Sequence, residues 1–187
     1  MQITKHQHAM LEITEGNQTL IIDPGMYQSE LPQLENLVAV VFTHVHDDHS
    51  YLPHAKDLAQ HEGVKFFGTQ EVRDKLLDVD VQVVRHGDHI EVGNFTLDFS
   101  GDLHQEIHRS IPLVQNVGVT VNRTLFYPGD AYVYPDHPFE ILACPSAAPW
   151  MKISDLIDYL VELKPKAAFA THNAYTIGAI KALAGAT

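Results

Sequence analysis

The sequence predicts an α/β fold, and two observations carry that prediction. Short apolar runs rich in Val, Ile and Phe alternate with stretches of helical character along the chain. Four of those runs end on a histidine or an aspartate: Asp23, His44, Asp130 and His172 each sit just past one. In sheets covered by helices, functional groups gather at one end of the strands. Four such ends describe one convergent site better than four independent accidents.

The elements follow in order. Residues 2–14 and 18–23 read as two strands joined through the turn-rich tip Glu15-Gly16-Asn17. The second ends in Ile21-Ile22-Asp23-Pro24-Gly25, where Pro and Gly stop the strand and leave Asp23 at its carboxyl end. After a loop to Pro32, the run Leu37 to Phe42 is short and Val-rich, as a buried strand is, and leads into Thr43-His44-Val45-His46-Asp47-Asp48-His49-Ser50. Residues 51–61 read as a helix, Val64 to Phe67 as a strand and Gln70 to Leu77 as a second helix. The pattern then returns to β: Val81 to Val84, a turn at Gly87-Asp88, His89 to Val92, and Phe95 to Phe99 beyond Gly93-Asn94. Val114 to Val121 and Thr124 to Tyr127 predict a hairpin turning at Asn122-Arg123 and ending in Pro128-Gly129-Asp130. Ile141 to Cys144 is a short strand. Ser154-Asp155 offers an N-cap to a helix over 155–163, with the acid favourable in the first turn. Ala167 to Ala170 is a last strand before Thr171-His172, and 177–184 a terminal helix.

Composition narrows the classes. A chain of 187 residues fits one domain, 1–187, with 45% hydrophobic and 19% charged residues as in globular proteins. The net charge of −12 disfavours non-specific nucleic-acid binding, although two divalent ions would add four positive charges locally. The single cysteine, Cys144, rules out an internal disulfide and a cysteine-rich zinc site, which leaves buried packing as its role. The N-terminus carries no apolar signal core, and no stretch approaches the ~18 apolar residues of a membrane span. The expectation is a cytoplasmic protein with a small-molecule substrate and no nucleic-acid or membrane partner.

The histidine stretch points to metal. Side chains two apart on an extended chain face the same way, so His44 and His46 can reach one ion together. Asp48 and His49 follow where the chain turns, and the turn re-aims them. A catalytic zinc is four-coordinate and keeps one position for water, so one ion does not take all four groups and the pattern points to two ions side by side. A lone histidine is usually only a hydrogen-bonded polar residue. This many costly polar groups beside an apolar core need a compensating partner, and a dication supplies it.

Taken with Asp23 in I-D-P-G, His104, Asp130 in Y-P-G-D and the late His172, the stretch T-H-V-H-D-D-H resembles that of the metallo-β-lactamase superfamily of metal-dependent hydrolases, over nearly the whole chain. The resemblance implies a four-layer αββα sandwich, two mixed β-sheets with helices on the outer faces and the metals at one edge between the sheets. It implies that His44, His46 and His104 hold one ion, that Asp48, His49 and His172 hold the other, and that Asp130 bridges them. The segment I-T-K-H-Q-H and the run Cys144 to Met151 are most similar to the ascorbate-phosphate lactonase-like branch. His104 and His108 compete for the third histidine position; the family pattern favours His104 and leaves His108 lining the pocket. Asp23 and Thr43 are expected to orient ligands through hydrogen bonds, and Asp47 to be solvated or to cap the next helix. His6 and His8 read equally as pocket or surface residues, and Trp150 as pocket wall or core. His54, His61, His86, His89 and His137 lack strand-end spacing.

The chemistry expected of such a site is hydrolysis. Two ions, zinc first and manganese or iron as alternatives, lie about 3.5–4 Å apart and share a bridging hydroxide. That hydroxide would cleave a small ester, lactone or phosphoester, with Asp48 and Asp130 as the carboxylates nearest the reaction. Ser146 lacks a G-x-S-x-G elbow, and no serine triad is needed. A phosphodiesterase or nuclease is the alternative within the superfamily, opposed by the acidic balance and the want of a Lys/Arg cluster. A thioesterase, and a metal-binding protein without hydrolytic turnover, are further readings.

Overall fold

The computed structural model describes residues 1–174; the terminal helix expected over 177–184 lies outside the described residues. Among the described residues, twelve strands form two six-stranded sheets drawn from successive parts of the chain. The first holds β1 (Gln2–Lys5), β2 (Leu11–Glu15), β3 (Gln18–Ile22), β4 (Leu37–Phe42), β5 (Lys65–Gly68) and β6 (Val81–Val83), in that spatial order. The second holds β7 (His89–Val92), β8 (Phe95–Ser100), β9 (Gly118–Val121), β10 (Leu125–Tyr127), β11 (Ile141–Pro145) and β12 (Ala167–Thr171), again as consecutive neighbours. Both sheets are mixed. β3 to β6 run parallel behind an antiparallel β1-β2-β3 edge, and β10 to β12 run parallel beyond the antiparallel β7 to β10.

Alternation along the strands builds the layers, because successive side chains on a strand face opposite ways. Leu20, Ile22, Ala39 and Val41 face inward and meet Leu97, Phe99, Val119 and Val121 from the other sheet. Their neighbours Ile21, Val40 and Phe42 face outward against Ala55 and Leu58 of α1 (Leu52–Leu58) and Val72 of α2 (Gln70–Lys75). On the far side Phe126, Leu142 and Cys144 pack against Leu156, Tyr159 and Leu160 of α3 (Ile153–Leu163). Helices therefore cover both outer faces, which is the αββα sandwich expected.

Three local expectations are corrected. The strand expected over 2–14 is two antiparallel strands, with Lys5 opposite Leu11 and His6 N–H bonded to Met10 O at 3.0 Å. The intervening turn holds His8 at φ +54, although it contains neither Gly nor Pro. β9 begins at Gly118 rather than Val114, because Gln115 and Asn116 make isolated bridges to Leu103 and His44 instead. α3 starts earlier than expected: Lys152 is its N-cap, and Ser154 lies inside the helix, bonded to Asp155. α1 ends at Leu58, with Pro53 in its first turn, where a missing N–H costs nothing. No helix among the described residues is long and apolar enough to cross a membrane.

Candidate metal centre

The site forms where β3, β4, β10 and β12 end. Asp23 follows β3, is fully buried and takes a left-handed backbone at φ +48. Its Oδ1 accepts the Thr43 N–H at 2.8 Å, and its Oδ2 accepts the Thr43 hydroxyl at 2.6 Å and the His49 Nδ1–H at 2.7 Å. Having donated its proton to Asp23, the Thr43 oxygen accepts from His44 Nδ1 at 3.0 Å. One carboxylate thus orients two histidines, as expected of Asp23 and Thr43. The chain beyond it passes so close to the next loop that a Cβ on Gly25 would stand 1.7 Å from Asp48 O.

His104 and His172 are held in the same manner, Nδ1–H of the first on Gln105 O at 2.6 Å and of the second on Ala147 O at 2.7 Å. In all four rings Nδ1 donates to an oxygen, so the neutral ring turns a bare Nε2 lone pair inward. The Nε2 atoms of His44, His49 and His104 and Oδ1 of Asp130 are buried with no hydrogen-bond partner among the described residues. Each such atom costs roughly 1–3 kcal/mol if left unsatisfied. All four are acceptors, the rings when neutral and the carboxylate when ionised, and a cation satisfies acceptors together where no donor is at hand. The residues present therefore fit a metal.

Asp130 lies between two sets of rings. Its Oδ2 is 3.0 Å from His172 Nε2 and 3.6 Å from His104 Nε2, and its Oδ1 is 3.3 Å from His49 Nε2. Gly129, at φ +66, aims it: a Cβ there would come within 2.4 Å of Asn116 Oδ1. That oxygen accepts the Asp130 N–H at 3.0 Å, while the Asn116 amide donates to Pro128 O at 2.9 Å. His44, His46 and His104 form a near-equilateral trio, with ring centroids 4.7–4.9 Å apart. Three groups have ligand atoms close enough to hold an ion: His44, His46 and His104; His8, Asp48, His49 and His172; and His44, His49 and Asp130, which joins the other two.

Electrostatics agree with the geometry. Burial drives the His44 ring well below its usual pKa, reinforced by the charge on His49. Burial also opposes charge on His49, yet Asp130, Asp23 and Asp48 around it outweigh that and raise its pKa. For His172, burial is again overcome, by hydrogen bonds to Asp130 and Asp48 that push it up to about 10. Burial pushes the Asp48 and Asp130 carboxyls up, but His49 and His172 outweigh it and hold both below the usual carboxylate range. Three buried or half-buried carboxylates create a demand for positive charge, which protons or ions can meet.

All seven residues expected at the site are brought together. His104 is buried within the trio, whereas His108 is exposed, its Nδ1 bonded to Ser110 in its own loop. Asp47 caps no helix; it pairs with Lys75 Nζ at 2.6 Å, and the same ammonium donates to Val45 O and Ser50 O and so ties the histidine loop to α2. His6 pairs with Glu12, and His54 bonds to Pro24 O. Trp150 is neither plain wall nor plain core: its Nε1–H donates to Asp130 Oδ2 at 3.1 Å. Asn116 and Lys75 were missed in the sequence, which offers no local pattern for them, and Trp150 was read there without its bond to Asp130.

A family model described as a beta-lactamase superfamily domain matches residues 2–172. Protein Rv0786c of Mycobacterium tuberculosis is 31% identical over 179 residues, covering 93% of this chain and 84% of that protein. Among solved structures, Igni18, a metallo hydrolase from the hyperthermophilic archaeon Ignicoccus hospitalis, is similar at TM-score 0.69 and 15% identity, covering 91% of this chain and 81% of that one. CmlA, a diiron beta-hydroxylase from Streptomyces venezuelae, is similar at TM-score 0.64 and 13% identity, covering 91% of this chain and 44% of that one. At such identities the two structures speak to the fold alone. The match along residues 2–172, joined to the sandwich and its edge cluster of histidines and aspartates, places the chain in the beta-lactamase superfamily.

Proposed function

We propose that the protein is a metal-dependent hydrolase with two divalent ions, zinc first, acting on a small ester, lactone or phosphoester. In this reading His44, His46 and His104 hold one ion, Asp48, His49 and His172 hold the other, and Asp130 spans both. The observation that carries it is the convergence of buried Nε2 atoms, unpartnered among the described residues, on a carboxylate that faces both sets. Ions bound there would acidify a water and polarise the carbonyl or phosphoryl oxygen that gains charge. The chain's own part is orientation. Asp23, Thr43, Gln105 O and Ala147 O fix four rings by Nδ1, and Asn116 and Trp150 fix Asp130. Imidazole and carboxylate donors without thiolate also suit manganese and iron, and the similarity to a diiron hydroxylase makes an iron-loaded form part of the test.

The test is turnover of the metal-loaded chain on lactones, phosphodiesters, thioesters and single-stranded RNA, with zinc, manganese and iron in separate arms. Hydrolysis of a small ester, lactone or phosphoester supports the reading, and the lactone arm addresses the I-T-K-H-Q-H resemblance. Turnover of RNA alone would move the assignment to a nuclease, against the net charge of −12. No turnover on any arm, with the ions bound, would leave a metal-binding protein.

A further inference from the structure

His8 is the one member of the clustered ligand groups outside the seven residues expected at the site, and its surroundings define its state. The residue is 2% exposed and sits in the β1–β2 turn at φ +54. Its Nδ1 accepts the backbone N–H of Ala174 at 3.2 Å. A backbone N–H can only donate, so Nδ1 carries no proton and the ring's hydrogen is on Nε2. That Nε2 lies 3.1 Å from Asp48 Oδ2, and the bond therefore runs from His8 to the carboxylate. An Nε2 bearing hydrogen offers no lone pair to an ion. The backbone of His8 is engaged as well, its carbonyl accepting the His172 N–H at 2.9 Å, and its ring lies 4.0 Å from that of His172.

We infer that His8 is a positioning residue for the ion held by Asp48, His49 and His172: its Nε2–H fixes the Asp48 carboxylate while its carbonyl and Nδ1 fix the segment carrying His172. The inference rests on the two-ion reading. Besides His8, Asp48 Oδ2 has His172 Nε2 beside it, at 3.3 Å. The β1–β2 turn then acts as a clasp between a loop of the first sheet and the end of β12 in the second.

Two substitutions separate the halves of this role. H8N keeps an acceptor near Nδ1 for Ala174 and tolerates the left-handed backbone, but its amide is too short for Asp48. H8Q places an amide donor near the former Nε2 and restores the bond to Asp48. Each full-length variant is stripped with chelator and titrated with zinc against a chromogenic competitor, and apo thermal unfolding is recorded. H8N is expected to weaken one of two ions by about 10–100-fold, leave the other unchanged and unfold near wild type, while H8Q stays close to wild type in both. Wild-type zinc affinity at both positions in H8N overturns the inference. So does an H8Q as weak as H8N, which would mark His8 as a ligand, and so does a loss of apo stability in H8N without loss of affinity. A wild-type chain that saturates at one ion overturns the two-ion reading itself, and this inference with it.

Discussion

Asp130 is the residue whose replacement is most informative. Asp130→Asn keeps the shape and the Asn116 bond to its N–H, but one amide oxygen spans two ions poorly and carries no charge. The fold is expected to survive and at least one ion to bind 10-fold weaker or more, on the order seen for supporting groups around metals, read by metal content and kcat/KM. Trp150, the single tryptophan, donates to the same carboxylate. Its emission is expected to change as zinc is added and to level off at two ions per chain; an emission that ignores zinc would detach the indole from the site. Cys144 supplies a contrast, since burial pushes its thiol up to about 11. It is protonated at neutral pH and is expected to react with thiol reagents only after denaturation. The seven clustered residues were legible because most follow apolar runs or sit together in one short stretch. The pairings of His8, Asn116 and Trp150 were not, because their partners lie 40, 14 and 20 residues away and only folding sets those pairs.

Elements carry their own tests. The approach of Gly25 to Asp48 O, 1.7 Å for an added Cβ, puts backbone against backbone, where no side chain can yield. Gly25→Ala is expected to destabilise by about 1–3 kcal/mol or more, the range for overpacking, and to disturb Asp48; thermal unfolding and zinc titration check both. In the β7–β8 hairpin His89 stands opposite Asp98, with Nδ1 and Oδ1 2.6 Å apart, and that hydrogen bond raises the His89 pKa. A raised folded pKa means a contribution fully present below the unfolded value of about 6.5 and lost as pH rises through the folded one. An NMR titration is expected to place His89 above 6.5, and Asp98→Asn to bring it down. Strands and helices were legible through their periodicity, and the β1–β2 turn was not. Residues 6–10 hold no Gly or Pro, so nothing in the sequence marks the place where the chain reverses.

At the scale of the molecule, the proposed ligands come from both sheets: the loop after β4 gives His44, His46, Asp48 and His49, while Asp130 and His172 follow β10 and β12. Ions that bind only when both sheets are docked stabilise the docked state, by about 2.7 kcal/mol at a hundredfold excess over Kd. Chelator is expected to lower the melting temperature and zinc to restore it, as scanning fluorimetry would record. A melting temperature indifferent to chelator would mean that the ions do not join the layers. Pattern alone yields strands but not their partners, which is why the two-sheet arrangement came from resemblance and the pairing from the structure.

The division of the sheets along the chain also bears on synthesis. The ribosome releases β1 to β6 first, and with them His44, His46, Asp48 and His49, well before Asp130 or His172 has been added. On the proposed two-ion reading, a chain at that stage would offer a passing ion a few loose donors and no bridge, and capture would be weak and reversible. Firm uptake would wait until the later strands have arrived and closed over the earlier ones. Scarce metal would then be committed to finished molecules, and the first tightly held ion would mark a chain whose translation and docking are complete.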